Sequence, residues 1–141
     1  MVDQSRIDTL RAAPVAARKL LIDGKWQEGE GRPGEVTSPI DGTHLTTLAG
    51  ASANDVDRAV ASARAAFEDG RWSKQPPAAR KRVLHAIADR IQAEVVELAV
   101  LGIRDNGTEF VMAINAEPGS AAGTFRYYAE ALDKVAGEVA P

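Results

Sequence analysis

Residues 76–107 read PPAARKRVLHAIADRIQAEVVELAVLGIRDNG, and the architecture turns on this stretch. Pro76-Pro77 suits a helix start, because the first turn has no use for the N–H that proline lacks. Leu84, Ile87, Ala88, Ile91, Val95 and Leu98 then recur at helical spacing and keep to one face. Asn106-Gly107 closes the run, since glycine readily takes the left-handed conformation that ends a helix. The pattern predicts one long amphipathic helix, whose apolar face needs another element against it.

Toward the N-terminus the period changes. Ser52, followed three residues later by Asp55, predicts a capped helix start. Val56, Ala59, Val60, Ala63 and Phe67 form its stripe, and the helix should end near Gly70. Before Gly50 the signals are those of strands. Leu20-Leu21-Ile22 and Lys25-Trp26 flank Asp23-Gly24, which predicts a tight β-hairpin. Glu35-Val36-Thr37-Ser38 and Leu45-Thr46-Thr47-Leu48 read as two further short strands separated by Pro39 and Asp41-Gly42. Residues 3–19, with Ile7 and Leu10 at helical spacing around a polar, alanine-rich segment, suit a short helix or a loosely attached arm.

Toward the C-terminus, a short helix is expected from Thr108 to about Ala116. Glu117-Pro118-Gly119-Ser120 reads as punctuation, and Ala122, Phe125, Ala129, Leu132 and Ala136 as a last stripe ahead of Gly137.

The chain has 141 residues, one domain's worth. Alanine is the commonest residue in its apolar 45% and only 5% of residues are aromatic, so the core should be thin at roughly 25 cal/mol per Å² of buried apolar area. A net charge of −3 gives no footprint for nucleic acid, whose phosphates call for clustered Lys and Arg. The basic run Arg80-Lys81-Arg82 fits a solvated helix face better than an anion site. No run approaches the ~20 apolar residues of a membrane span, and no apolar stretch follows Met1–Arg6, so a cytoplasmic protein is expected. The absence of cysteine removes disulfides, thiolate metal sites and thiol nucleophiles together.

Few residues suggest chemistry by themselves. Gly29-Glu30-Gly31-Arg32-Pro33-Gly34 satisfies GxGxxG, but a strand-like segment follows instead of the helix that would aim its N–H groups at a pyrophosphate; a loop between strands is the better reading. His44 and His85 look isolated, with no metal-pair spacing. Glu94 and Glu97 share a helical flank as solvated carboxylates. Asp105-Asn106-Gly107 is a helix terminator, and Arg126-Tyr127-Tyr128 is a helical segment with rings packed inward and Arg126 reaching to solvent.

In fixed order these elements form a specific combination: the Leu21–Trp26 hairpin, the Asp55–Val60 helix with Ala65-Ala66-Phe67, Glu97-Leu98-Ala99, Asp105-Asn106-Gly107 and Arg126-Tyr127-Tyr128-Ala129. The combination resembles the N-terminal part of the NAD(P)+-dependent aldehyde dehydrogenase superfamily over about residues 20–141. The tail from Glu117 to Pro141 looks closest to bacterial members that act on amine-derived aldehydes, including the γ-glutamyl-aminobutyraldehyde type.

The resemblance implies an α-rich α+β fragment: an N-terminal arm over 1–19, then over 20–141 a β-hairpin and amphipathic helices that would flank the Rossmann-like sheet of a larger α/β enzyme. The parent reaction would oxidise an aldehyde to a carboxylic acid with NAD or NADP through a cysteine thioester. No family catalytic or nicotinamide-binding position falls on this chain, so the chain alone is expected to be inactive and to bind no cofactor. Implied partners are the remaining part of the dehydrogenase or homologous subunits of a homo-oligomer, with no membrane and no nucleic acid. The one site that carries over is a structural monovalent cation held at Thr37 and Asp105. The family glutamate and lysine around the Asp-Asn-Gly turn are replaced by Gly102 and Thr108. A rival reading is a stand-alone, non-catalytic helical module that assembles with homologous subunits through apolar faces left uncovered.

Overall fold

The computed structural model describes residues 3–137. Helix α1 spans Gln4–Ala12, with the Asp3 side chain accepting from the Ser5 N–H at 3.0 Å. Of the two readings for residues 3–19, the structure has the helix, and Ile7 of α1 is buried. Strands β1 (Leu20–Ile22) and β2 (Lys25–Gln27) pair antiparallel. Asp23 (φ 52°) and Gly24 (φ 70°) are both left-handed, as a two-residue turn matching the strand twist requires.

A second antiparallel ribbon joins β3 (Gly31–Thr37) and β4 (His44–Gly50). The chain entering β1 adds to its edge: the Arg18 N–H donates to the Thr47 carbonyl at 2.9 Å, and the Ala49 N–H to that of Arg18 at 2.8 Å. Strand β3 starts earlier than the sequence pattern suggests and absorbs most of the GxGxxG run. Its glycines answer to backbone crowding. A Cβ on Gly29 would lie 1.9 Å from the Gly50 carbonyl oxygen, one on Gly31 2.5 Å from that of Ala51, and one on Gly50 1.9 Å from that of Arg32. Gly34, the last of the run, has open space around it.

Helix α2 (Ala53–Glu68) begins with the expected capping box of Ser52 and Asp55. The long helix is interrupted. α3 runs over Pro77–Ala93 and α4 over Val95–Asn106, with Glu94 at φ −107°, ψ 21° between them. The Glu94 N–H is shared between the Arg90 and Ile91 carbonyls, both at 3.2 Å, which tightens the last turn of α3. The change of direction shifts the buried face: α4 buries Val96, Ala99 and Val100, while Leu98, expected inside, is exposed. Gly107 (φ 76°) closes α4 as expected.

Helix α5 spans Phe110–Asn115 and α6 Glu117–Ala131. Glu117-Pro118 starts α6 instead of separating elements, because the proline sits in its first turn. The stripe Ala122, Phe125, Ala129 and Leu132 is buried or half-buried, but Ala136 lies beyond the helix and is exposed. Tyr127 and Tyr128 are exposed as well, stacked edge to face at 5.3 Å, contrary to the inward packing expected of them.

Helix α6 packs on α3, and α4 packs against α1, α5 and α6. The largest apolar cluster is Ile7, Val96 and Val100, with Leu10, Val95 and Ile114 against it. The stripe of α2 is not covered: Val56, Val60 and Phe67 are all more than half exposed.

Because the ribbon needs glycine only where backbones meet, Gly31→Ala is expected to cost at least ~1 kcal/mol in urea-induced unfolding, while Gly34→Ala is neutral within about 0.5 kcal/mol. Equal sensitivity at both positions would show that the run is constrained by something other than the β3–β4 contact.

Candidate functional site

Asp55 is the one large side chain among the described residues that is fully buried. One of its oxygens accepts from the backbone N–H groups of Ser52 and Glu30, both at 2.8 Å, and from the Ser52 hydroxyl at 3.0 Å; Arg58 donates to the other. The Ser52 N–H, then that of Glu30, hold this carboxyl below its ordinary range, with the hydroxyl and Arg58 adding to them. Glu30 also reaches Asn54 and Arg58, so the segment before β3 is tied to the first turn of α2.

A second cluster seals α3 against α6. Lys81 donates to Asp133 at 2.8 Å and Glu130 at 3.0 Å, His85 Nε2 lies 2.9 Å from Glu130, and Arg126 donates to Asp89 at 2.9 Å. Lys81 and then Lys134 lower Asp133 to about 2; Lys81 and then His85 lower Glu130; and the two carboxylates raise Lys81. His85 is therefore not isolated, and Lys81 belongs to an ion-pair seam instead of a free basic face. His44 is not isolated either: its Nδ1 lies 3.1 Å from Glu35, a diagonal neighbour in the ribbon, since Thr37 pairs with His44. Of the two flank carboxylates, Glu97 pairs with Arg6 and Glu94 with Arg90.

These groups fasten elements together, and none is set opposite a nucleophile in a cleft. The glycine run offers no nucleotide cradle, because it continues into β3 and the space over Gly29 and Gly31 is filled by β4 backbone. Thr37 ends β3 and Asp105 lies in the last turn of α4, both exposed. Their neighbourhoods meet: the Pro39 ring is 3.2 Å from where a Cβ on Gly107 would be. Among the described residues no group of three or more His, Cys, Asp or Glu could hold a metal ion. Gly102, in the family glutamate position, faces Glu117, whose Oε2 would lie 3.1 Å from a Cβ there. No helix among the described residues is long and apolar enough to cross a membrane.

What the surface does offer is apolar area. Besides the α2 stripe, a groove of about 480 Å³ crosses the break at Glu94, lined by Val83, Ile87, Ile91 and Leu98.

The profile of the aldehyde dehydrogenase family matches residues 26–141. The chain belongs to the aldehyde dehydrogenase family. It is 39% identical over 86% of its length to the NADP/NAD-dependent aldehyde dehydrogenase PuuC of Escherichia coli (strain K12), covering 25% of that protein. It is 36% identical over 87% of its length to the cytosolic 10-formyltetrahydrofolate dehydrogenase of Xenopus tropicalis, covering 14% of it. The crystal structure of a γ-glutamyl-γ-aminobutyraldehyde dehydrogenase from Burkholderia cenocepacia superposes on 99% of the chain with a TM-score of 0.91 at 35% identity, and 29% of that chain is covered. The chain thus spans a quarter or less of the length of these two curated relatives, and it corresponds to an N-terminal aldehyde dehydrogenase segment close to bacterial enzymes for amine-derived aldehydes.

Sign and size of the seam's contribution follow from the depressed carboxyls. Asp133 has an ordinary value of 3.8 and sits near 2 when folded, so its contribution is complete above 3.8 and is lost as the pH falls toward 2. The stability difference between the parent and Lys81→Met should therefore shrink as the pH is lowered from about 5 to about 2, by circular dichroism. A difference that held constant through that range would remove the seam as its source.

Proposed function

We propose that this segment is a scaffold part of an NAD(P)+-dependent aldehyde dehydrogenase, acting on an aldehyde through a thiolate that other residues supply. The observation that carries the reading is the family match over nearly the whole chain, combined with the absence of any cysteine. In the parent reaction a cysteine thiolate adds to the carbonyl, hydride leaves for the nicotinamide, and water releases the acid. This chain's residues contribute shape. Residues 20–141 would form the opening part of the cofactor-binding domain, preceded by the 1–19 arm, and the chain alone would bind neither NAD nor NADP.

The uncovered faces of α2 and of the α3–α4 groove support a partner, either the remaining part of the dehydrogenase or homologous subunits of an oligomer in the cytoplasm. Amine-derived aldehydes are the favoured substrate class, on the likeness to enzymes of that kind. The contact of Pro39 with Gly107 supports a monovalent cation between the Thr37 carbonyl and the Asp105 carboxylate, with oxygen ligands suited to a hard ion and the rest of its shell drawn from outside this chain.

The test is direct. The purified chain, given NAD+ or NADP+ and γ-aminobutyraldehyde, should produce no absorbance of reduced cofactor. Co-expression with the cysteine-bearing remainder of a homologous enzyme should restore turnover. Cofactor reduction by the chain alone would overturn the reading.

A further inference from the structure

We propose that the cleft between α1, α4, the start of α5 and the β3–β4 turn binds a small organic carboxylate with an apolar body. The cleft encloses about 300 Å³, the lower end of the range for small-molecule sites. Ile7 and Val100, both buried in the α1–α4 core, form its floor. Ile40 and Phe110 form its walls and remain 62% and 36% exposed, apolar surface with room for an apolar partner.

Two guanidinium groups, Arg11 and Arg104, stand at the same cleft. Arg104 is held in place from one side: its Nη1 donates to the Ala13 carbonyl at 2.8 Å and the Leu10 carbonyl at 3.2 Å. Its Nη2 and Nε make no hydrogen bond among the described residues. Neither Arg11 nor Arg104 forms an ion pair among the described residues, and of the arginines without one they are the two that share this apolar cleft. A planar fork with a free edge matches a carboxylate in two parallel hydrogen bonds. The half-open rim lets the charged head keep part of its hydration while the apolar body fills the floor, which avoids the cost of burying an ion. Inorganic phosphate would meet the arginines but leave the apolar floor empty, so the ligand class is an amphiphilic monocarboxylate.

The probe is octanoate, titrated calorimetrically into the full 141-residue chain, with octan-1-ol and inorganic phosphate as comparisons. Octanoate should bind at least about tenfold more tightly than either. Arg11→Glu is the informative variant, because Arg11 is exposed and its side chain makes no hydrogen bond or ion pair among the described residues, whereas Arg104 also caps α1. It should weaken octanoate at least about tenfold while leaving the circular dichroism spectrum and octanol affinity unchanged, with only a small fall in thermal midpoint from the cation lost at the end of α1. Ile40→Asp, on the exposed turn, should weaken octanoate and octanol alike. Equal affinities for octanoate and octanol, an Arg11→Glu chain that binds octanoate like the parent, or no heat with octanoate at millimolar concentration would each overturn the proposal.

Discussion

Among the described residues, Ala88, Ala99, Ala113, Ala122 and Ala129 are the apolar residues that lose all contact with solvent, and each presents a single methyl group. Helices lined this way approach closely, since the distance between axes follows the size of the side chains at the contact. The α3–α6 pair depends on this most, with Ala88 on one side and Ala122 and Ala129 on the other. A methyl buries little area, however, at roughly 25 cal/mol per Å². The longer side chains are pushed to the rim, where Lys81, His85 and Arg126 meet carboxylates across the seam. Such half-exposed pairs add modest energy, so they fix how the two helices are aligned more than how strongly they hold.

The strand region is fastened by the opposite means. One buried carboxylate, Asp55, gathers donors from Ser52, Glu30 and Arg58, satisfying backbone groups that would be left without partners where α2 begins. Helix packing through methyl groups and a polar latch at the ribbon together leave larger apolar residues, Val56, Val60, Phe67, Val83 and Leu98, facing outward. A surface of that kind is apolar area that contact with another element would take out of water.

What could be read from the sequence was what is decided locally. The Asp23-Gly24 turn, the Ser52/Asp55 box and the Gly107 stop each depend on a few neighbouring residues, and each is where the pattern placed it. The interruption at Glu94 has no such mark, because Gln92-Ala93-Glu94-Val95 contains neither glycine nor proline; it accompanies long-range packing, of α3 on α6 and of α4 on α5 and α1. Gly29 and Gly31 matched a phosphate fingerprint for want of any sign that β4 would press on them. His85 and Glu130 lie 45 residues apart, beyond any local pattern. Aromatic rings usually face inward, yet Tyr127 and Tyr128 stay exposed, because burial follows from the neighbours present and not from residue type. Neither Thr37 nor Asp105 signals a ligand by residue type, so only family likeness points to them.

The interruption at Glu94 also divides labour along the chain. Before it, α3 serves α6; after it, α4 serves α5 and α1 and touches α6 less, while α3 and α4 touch each other little. A straight helix would have coupled these neighbourhoods rigidly, so that loosening one end strained the other. With the break, α3 and α4 each follow their own partner, and α6, which touches α3, α4 and α5, holds the two neighbourhoods together.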